Sequence, residues 1–286
     1  MAKCYRSELV GVFGCPIDEN PTGVMEEAAF AAKGLDYRYI TMKVEKDGLE
    51  DAMKGLRAVN MRGVNLTIPH KVHAVKLVDE LSPEAQIIGA INVVVNKNGV
   101  LWGDNSDGKG FMKSLTDRGI SVKGKTVTIL GAGGAARAIS VEAAMHGASK
   151  INIVNVSQRG EELADLINEK TPANAEYIRW IPGIKVPDGT ELLVNATPLG
   201  LYPNVNERPD IDYSSISPSM TVCDVIFNDP NTLFLQEAAR QGAETVNGLG
   251  MLANQGAINF TLWTGVEAPV DVMVETLREE FHLNNY

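Results

Sequence analysis

A glycine-rich turn in the middle of the sequence has the composition of a dinucleotide-binding site. The apolar, β-branched run Thr126–Leu130 leads directly into Gly131-x-Gly133-x-x-Ala136, and a helical pattern follows at once. In such a turn the first glycine permits a tight bend, the second lets the backbone approach a pyrophosphate, and the small third residue lets the helix pack closely on the strand. Free N–H groups at the helix start then bind phosphate. The residues predicted to contact the dinucleotide are Gly131, Ala132, Gly133, Gly134, Ala135 and Ala136.

The end of the next strand, Asn155-Val156-Ser157-Gln158-Arg159, is where the ribose of a dinucleotide is recognised. An acidic residue there favours NAD through the ribose hydroxyls. Asn155 is neutral and leaves room for a 2′-phosphate, and Arg159 is placed to pair with one. A solvated loop cation is an equally good interpretation of Arg159. Both NADP and NAD therefore remain candidate cofactors.

A second group of polar residues lies in the first third of the chain. The predicted strand Gly63–Ile68 carries Asn65 and Thr67 on one face. Lys71 follows, and a lysine at a strand end near hydrogen-bonding side chains suits proton transfer to a hydroxyl or carbonyl group. The alternative is an ordinary surface lysine. Asp107 begins a predicted helix, so it is either a helix cap or a functional carboxylate.

Short apolar runs alternate with helical patterns, which predicts an α/β fold with mostly parallel sheets. We expect a substrate-binding and catalytic domain over 1–106 with 249–286, and a Rossmann-type NAD(P)-binding domain over 107–248. The last helices have no strand of their own to cover and should return to the first domain. A cleft between two domains is a common place for a ligand. The main predicted strands are Leu9–Gly14, Tyr37–Val44, Gly63–Ile68, Ala90–Val95, Val100–Trp102, Lys125–Leu130, Lys150–Val156, Leu192–Asn195 and Thr221–Ile226, and the main predicted helices are Thr22–Lys33, Leu49–Ala58, Asp107–Arg118, Ala135–His146, Met251–Trp263 and Val270–Phe281.

Composition narrows the possible partners and compartment. The 286 residues carry a formal net charge of −10, which repels nucleic acid and anionic membranes. No apolar run approaches the length of a membrane span. The three cysteines form neither a disulfide framework nor a metal-ligand spacing, so a reducing cytoplasm is expected. His70 and His73 lack further ligands nearby, so no metal site is predicted.

The sequence resembles the shikimate and quinate dehydrogenase family over nearly its whole length. The resemblance implies an NAD(P)-dependent dehydrogenase that reversibly oxidises a ring hydroxyl of a hydroxylated cyclohexene or cyclohexane carboxylate. The substrate would be shikimate, quinate or a close analogue. We expect the enzyme to be a monomer or a homodimer. The resemblance also implies an N-terminal α/β substrate domain completed by C-terminal helices. The residues that carry it are, in order, Val64–Lys71, Ala90–Asn92, Gly103–Gly108, Gly131–Ala136, Asn195–Gly200, Asp224, Gly248–Leu252, Gln255 and Trp263–Gly265.

The same resemblance implies residue roles. Lys71 and Asp107 look like the catalytic pair, in which Lys71 exchanges the hydroxyl proton and Asp107 orients the lysine and that hydroxyl. Neutral amides and hydroxyls suit a polyol ring because each supplies a directional donor or acceptor. The implied substrate ligands are Asn65, Thr67, Asn92 and Gln255, and the implied contacts to the nicotinamide are Thr197, Gly248 and Met251.

Three departures from the family pattern concern specificity. The loop that usually offers two serine hydroxyls to the substrate carboxylate here offers Asn20 and Thr22, and Phe227 stands where the family has a tyrosine. A methyl-sized change in a tight pocket is worth about 1–3 kcal/mol. The usual Asn-Arg-Thr sequence of the NADP-binding members reads Asn155-Val156-Ser157. We therefore hypothesise a substrate other than shikimate alone, and dual or NAD-leaning cofactor use.

Two alternatives remain. One is a non-catalytic NAD(P)-binding sensor or regulator on the same fold, which would have no need of Lys71 and Asp107. The other is a dehydrogenase for an amino-substituted analogue of shikimate or quinate, which Asn20 and Phe227 leave open.

Overall fold

The computed structural model describes residues 5–283, which divide into two compact units. One unit contains the described residues up to Ser106 and those from Ala253 onwards, and the other is Asp107–Leu252. The second change of unit falls inside the helix Leu249–Thr264.

The secondary structure of residues 5–283 is mixed α/β, as predicted. The strands are β1 Glu8–Gly14, β2 Tyr37–Lys43, β3 Gly63–Leu66, β4 Glu80–Leu81, β5 Val93–Lys97, β6 Val100–Asp104, β7 Thr126–Leu130, β8 Lys150–Asn155, β9 Asn174–Arg179, β10 Ile184–Lys185, β11 Leu192–Asn195, β12 Ile211–Asp212, β13 Thr221–Asp224 and β14 Glu244–Val246. The helices are α1 Thr22–Ala32, α2 Leu49–Ala58, α3 Pro83–Ile88, α4 Ser106–Thr116, α5 Gly134–Met145, α6 Arg159–Lys170, α7 Leu233–Arg240, α8 Leu249–Thr264 and α9 Val270–Glu280.

The first unit is built on a mixed sheet in the order β2-β1-β3-β5-β6-β4. β1 pairs in parallel with β2 and β3, whereas β5 runs antiparallel to β3 and β6. A two-residue hairpin turn joins β5 to β6, with Asn98 and Gly99 both at positive φ (57° and 95°), as a type I′ turn requires. Val64, Val94, Leu56 and Leu101 lie in the buried core of this unit.

The C-terminal helices pack on this first unit, because their apolar faces find their partners there. The Phe260 ring of α8 stacks on the Phe30 ring of α1 with centroids 5.3 Å apart. The buried Trp263 donates its indole N–H to the Val94 carbonyl of β5 at 3.1 Å. Gly63 on β3 makes room for that indole, since a Cβ there would lie 2.4 Å from Trp263 Nε1.

The second unit contains a parallel sheet in the order β14-β13-β11-β7-β8-β9. In order of appearance within this sheet the strands are arranged 3-2-1-4-5-6, the doubly wound order of dinucleotide-binding domains. The direction of winding reverses between β7 and β11, and ligands bind such folds outside the carboxyl ends of the strands at this point. The Gly131–Ala136 turn follows β7 there.

Two predicted strands end differently from expectation, and both changes move a candidate site residue off a strand. β3 ends at Leu66, so Thr67 lies in the following turn; the chain bends there because His70 N–H donates to the Thr67 carbonyl at 2.8 Å. β5 begins at Val93, so Asn92 lies just before it. Asn92 is held there by backbone hydrogen bonds with Leu66 (2.8 Å) and Asp104 (3.0 Å).

Replacing Trp263 by Phe should destabilise the first unit. The change removes the indole donor and leaves the buried Val94 carbonyl without it, which costs about 1–3 kcal/mol. Trp180→Phe is the matched control, because Trp180 donates to the Asp210 carbonyl from a half-buried position in the second unit. Chemical denaturation should show the larger loss for Trp263→Phe. An equal or smaller loss than that of Trp180→Phe would contradict the proposed role of this contact.

Candidate functional site

The first unit gathers several neutral polar side chains that were predicted to bind substrate. Asn65, Asn92 and Gln255 are exposed by only 7%, 3% and 8%. Asn65 Nδ2 donates to the Asn92 carbonyl at 3.2 Å, and Asn92 Nδ2 lies 3.5 Å from Gln255 Oε1. Three segments far apart in sequence therefore contribute amide groups to one buried set, which we call the amide cluster.

The loop between β6 and α4 holds one side of this cluster in place. Ser106 N–H donates to Asn92 Oδ1 at 2.7 Å, and Asn92 Nδ2 lies 2.9 Å from the Ser106 hydroxyl. Asn105 Nδ2 donates to the Ala90 carbonyl at 3.0 Å. The Gly103–Gly108 segment therefore positions Asn92 through hydrogen bonds as well as leading to Asp107.

Tyr39 belongs to this cluster, although the sequence analysis placed it only within a strand. Its hydroxyl donates to Asn65 Oδ1 at 2.8 Å, and its side chain is 8% exposed. Burial is the largest cause that raises the pKa of this hydroxyl, whereas a hydrogen bond with the Thr22 side chain lowers it. The period-two alternation of β2, which buries Tyr37 and Tyr39 on one face, is the signal that would have found it.

Lys71 and Thr67 lie in the turn that follows β3. Both side chains are half-buried. The backbone carbonyl of Lys71 accepts a hydrogen bond from Ile91 N–H at 2.9 Å, so the lysine's backbone is tied to the residue that precedes Asn92. His70, between them in sequence, is buried and its Nε2 lies 2.8 Å from the Val44 carbonyl. This contact gives the histidine a structural role.

The loop before α1 brings Asn20 and Thr22 together. Asn20 Oδ1 accepts a hydrogen bond from Thr22 N–H at 2.9 Å. The amide oxygen of Asn20 is therefore occupied locally, which leaves its NH₂ group as the donor it offers to other groups. Thr22, the first residue of α1, is 5% exposed.

The glycine turn in the second unit has the geometry that the motif predicts. Gly131 adopts φ of +111°, a conformation that favours glycine. Gly133 precedes α5 in extended conformation, with φ −79° and ψ −169°, and no described atom lies within 4 Å of where its Cβ would be. Ala136 is fully buried. An open space beside Gly133 at the N-terminus of a twelve-residue helix fits a pyrophosphate.

The end of β11 lies against this turn. A Cβ on Gly131 would lie 3.1 Å from the Ala196 carbonyl oxygen and 3.2 Å from Thr197 Cγ2. Thr197 is fixed by its hydroxyl, which donates to Asn195 Oδ1 at 2.6 Å. Asn195 also donates to buried Asp224 at 3.1 Å. Burial raises the pKa of Asp224 to about 6, although hydrogen bonds from Thr232, Asn195 and nearby backbone N–H groups oppose the shift.

The loop after β8, for which the sequence predicts ribose binding, is exposed. Asn155 Nδ2 donates to the Ser157 carbonyl at 3.1 Å and lies 3.0 Å from its hydroxyl, which orders the turn. Val156 is 64% exposed, and Arg159 begins α6 with its side chain in solvent.

The remaining predicted residues are also in the second unit. Asp107 is the second residue of α4 and is 7% exposed, and Phe227 is half-buried after β13. Gly248 must be glycine, because a Cβ there would lie 2.4 Å from the Ile226 carbonyl oxygen. Met251, for which the resemblance implied a contact to the nicotinamide, lies in the hydrophobic core of this unit.

Two further properties concern metals and membranes. Within residues 5–283, no group of three or more His, Cys, Asp and Glu side chains is arranged to hold a metal ion. Over the same residues, no helix combines the length and hydropathy needed to cross a bilayer.

The fold and site define a two-unit α/β oxidoreductase of the dinucleotide-binding type, and comparison with known proteins identifies its family. The profile "Shikimate dehydrogenase substrate binding domain" matches residues 12–94, and the profile "Shikimate 5'-dehydrogenase C-terminal domain" matches residues 248–278. The NADP-dependent shikimate dehydrogenase of Desulforamulus reducens is 42% identical over 280 residues, 96% of each chain. The protein belongs to the shikimate dehydrogenase family.

Solved structures extend the comparison. Ligand-free 5-ketofructose reductase of Gluconobacter sp. strain CHM43 has a TM-score of 0.91 and 44% identity, covering 97% of this chain and 100% of that one. Shikimate 5-dehydrogenase of Listeria monocytogenes, in complex with shikimate and NAD, has a TM-score of 0.88 and 37% identity, covering 95% and 96%. Both NADP and NAD therefore occur among close relatives, in agreement with the cofactors predicted from the sequence.

Replacing Gly133 by Ala should weaken dinucleotide binding without harming the fold. Its φ suits alanine and no described atom opposes the added methyl group, but a pyrophosphate in that space would meet it. We expect the Kd for the dinucleotide, measured by calorimetry, to rise about 10-fold or more. Gly55→Ala in α2 is the control, since its Cβ also enters open space. An unchanged Kd for Gly133→Ala would exclude this turn as the pyrophosphate site.

Proposed function

We propose that this protein is an NAD(P)-dependent dehydrogenase that reversibly oxidises a ring hydroxyl of shikimate, giving 3-dehydroshikimate, or of quinate or a close analogue. The observation that carries the proposal is the amide cluster of Asn65, Asn92 and Gln255, buried in the unit that also contains Lys71. A site of neutral amides selects a ring bearing several hydroxyl groups, because an analogue lacking one leaves a buried polar group unpaired. Family membership supports the same reaction.

The proposed chemistry needs a hydride acceptor and a base. A bound oxidised nicotinamide would supply the acceptor for the hydride of the carbinol carbon, and its reduced form would supply the hydride for the reverse reaction. The Gly131–Ala136 turn would hold its pyrophosphate, and Thr197 would contact its nicotinamide half. Lys71 takes the hydroxyl proton as the carbonyl forms and returns it in the reverse direction. Asp107 is the carboxylate that we assign to orienting Lys71 and the reacting hydroxyl.

A second candidate is reduction of a polyhydroxylated ketone that has no carboxylate, such as 5-ketofructose. The specific observation is the loop before α1, where Asn20 and Thr22 replace the two serine hydroxyls expected for a substrate acid, and Asn20 already uses its oxygen on Thr22 N–H. The 44% identity to a 5-ketofructose reductase supports it. The amide cluster suits either a ring acid or a cyclic sugar, because both present adjacent hydroxyl groups.

A substrate panel tests the proposal and separates the two candidates. Shikimate and quinate are offered with NAD and with NADP, and 5-ketofructose with each reduced cofactor, and kcat/KM is compared. We expect turnover of shikimate with a raised KM. The loss of one hydrogen bond to the substrate carboxylate costs about 1.5–3 kcal/mol, which raises KM roughly 10- to 150-fold. A higher kcat/KM for 5-ketofructose favours the second candidate. Lack of turnover on every substrate would reject the enzymatic assignment and favour an NAD(P)-binding sensor.

Replacing Lys71 by Ala should remove the proton-transfer group. We expect kcat to fall by about 10²–10⁴-fold, while the Kd of the dinucleotide is unchanged because its turn lies in the other unit. Lys76→Ala, an exposed lysine in the same region, is the control and should keep full activity. Full activity in Lys71→Ala would overturn the assigned role.

A further inference from the structure

Glu26 is a carboxyl group in the first unit that the proposed mechanism does not use. It lies on α1, one turn after Thr22, and its side chain is 0% exposed. Among the described residues, neither Glu26 Oε1 nor Oε2 has a hydrogen-bond partner. An ionised carboxylate buried without partners costs far more than folding usually tolerates, so such a group takes up a proton instead. Burial alone raises the pKa of Glu26 well above its ordinary value.

A buried acceptor without a donor lies on the helix that packs against Glu26. A Cβ on Gly256 of α8 would lie 3.3 Å from Glu26 Oε1, so this turn of α8 lies directly over the carboxyl group. Asn259 follows three residues later, on the same face of the helix. Asn259 is fully buried, and its Oδ1 has no hydrogen-bond partner among the described residues.

Asn259 connects this position to the amide cluster. Its Nδ2 donates to Gln255 Oε1 at 3.0 Å, and Asn92 Nδ2 approaches the same oxygen at 3.5 Å. With its oxygen facing two amide donors, Gln255 has its own NH₂ group left to offer to a substrate oxygen. The orientation of Gln255 therefore depends on the orientation of Asn259.

We propose that Glu26 is protonated and donates a hydrogen bond to Asn259 Oδ1, and that through Asn259 it holds Gln255 with its NH₂ group directed to the substrate. A protonated carboxyl supplies the donor that Asn259 Oδ1 lacks. Glu26 is then a positioning residue for substrate specificity. The inference rests on the proposed function only in treating Gln255 as a substrate ligand.

Of the titratable groups packed around Glu26, only Glu26 itself is expected to gain or lose a proton near neutral pH. From β2, the titratable neighbour is Tyr39, whose pKa is raised mainly by its own burial and so stays above the physiological range. From α8, the neighbours are uncharged Gly256 and Asn259. From α9, Met273 packs beside Gly256. The carboxylates two residues before and after Met273 in sequence, Asp271 and Glu275, are exposed to solvent.

Two substitutions at Glu26 test the assignment. Glu26→Gln keeps a donor of nearly the same shape without the acid, and Glu26→Leu removes the donor. We expect Glu26→Gln to keep KM for the active substrate of the panel within about threefold of wild type, and Glu26→Leu to raise it about 10-fold or more with a smaller change in kcat. Glu50→Gln, an exposed position on α2, is the matched control. A KM for Glu26→Gln as poor as that for Glu26→Leu, or a wild-type KM for Glu26→Leu, would overturn the proposal.

Thermal unfolding tests the protonation separately from activity. A carboxyl whose folded pKa is raised contributes stability that is complete below the unfolded value near 4.3 and is lost as pH rises towards the folded value. The Tm of Glu26→Gln minus that of wild type should therefore increase from pH 5 to pH 8 by at least about 3 °C, while Glu50→Gln shows no such trend. A flat difference would mean that Glu26 is ionised and would overturn the proposal, even if no tested substrate is turned over. A rising difference with an inactive wild type would reject the proposed function alone.

Discussion

A polar side chain that is buried must find a hydrogen-bond partner, and the first unit meets this requirement with side chains from widely separated segments. Asn65 lies on β3, Asn92 immediately precedes β5, and Gln255 lies on α8, yet their amide groups form one cluster. The cluster exists only if the C-terminal helices return to this sheet, which the Trp263–Val94 hydrogen bond helps to secure. The packing of the C-terminal helices on the sheet therefore also brings these amide groups together.

The second unit obeys a different constraint, that of the parallel doubly wound sheet. The reversal of winding between β7 and β11 places the Gly131 turn against Thr197. Open space at Gly133 and the backbone N–H groups at the N-terminus of α5 fit a phosphate group. A protein with a net charge of −10 can thus bind an anionic cofactor through its backbone, since local donors oppose the repulsion of the global field.

Much of the fold and of the candidate site could be predicted from the sequence, because these features depend on local sequence patterns. Hydrophobic periodicity predicted α2 and β11 with their bounds, and the glycine spacing predicted the turn. Thr67 and Asn92 were placed on strands wrongly, because backbone hydrogen bonds to distant segments decide where β3 ends and β5 begins. The sequence did not single out Tyr39, Glu26 or Asn259, because what distinguishes them is burial against residues remote in sequence, which no short spacing reveals.

We propose that the amide cluster and Lys71 serve hydride transfer between a ring hydroxyl and a nicotinamide. The most direct measurement uses shikimate that carries deuterium at the carbon of the oxidised hydroxyl, with magnetic resonance of the recovered cofactor. We expect deuterium at the nicotinamide ring carbon that accepts hydride, and we expect this deuterium transfer to be lost in Lys71→Ala. Binding of both shikimate and cofactor with no deuterium in the recovered cofactor would contradict it.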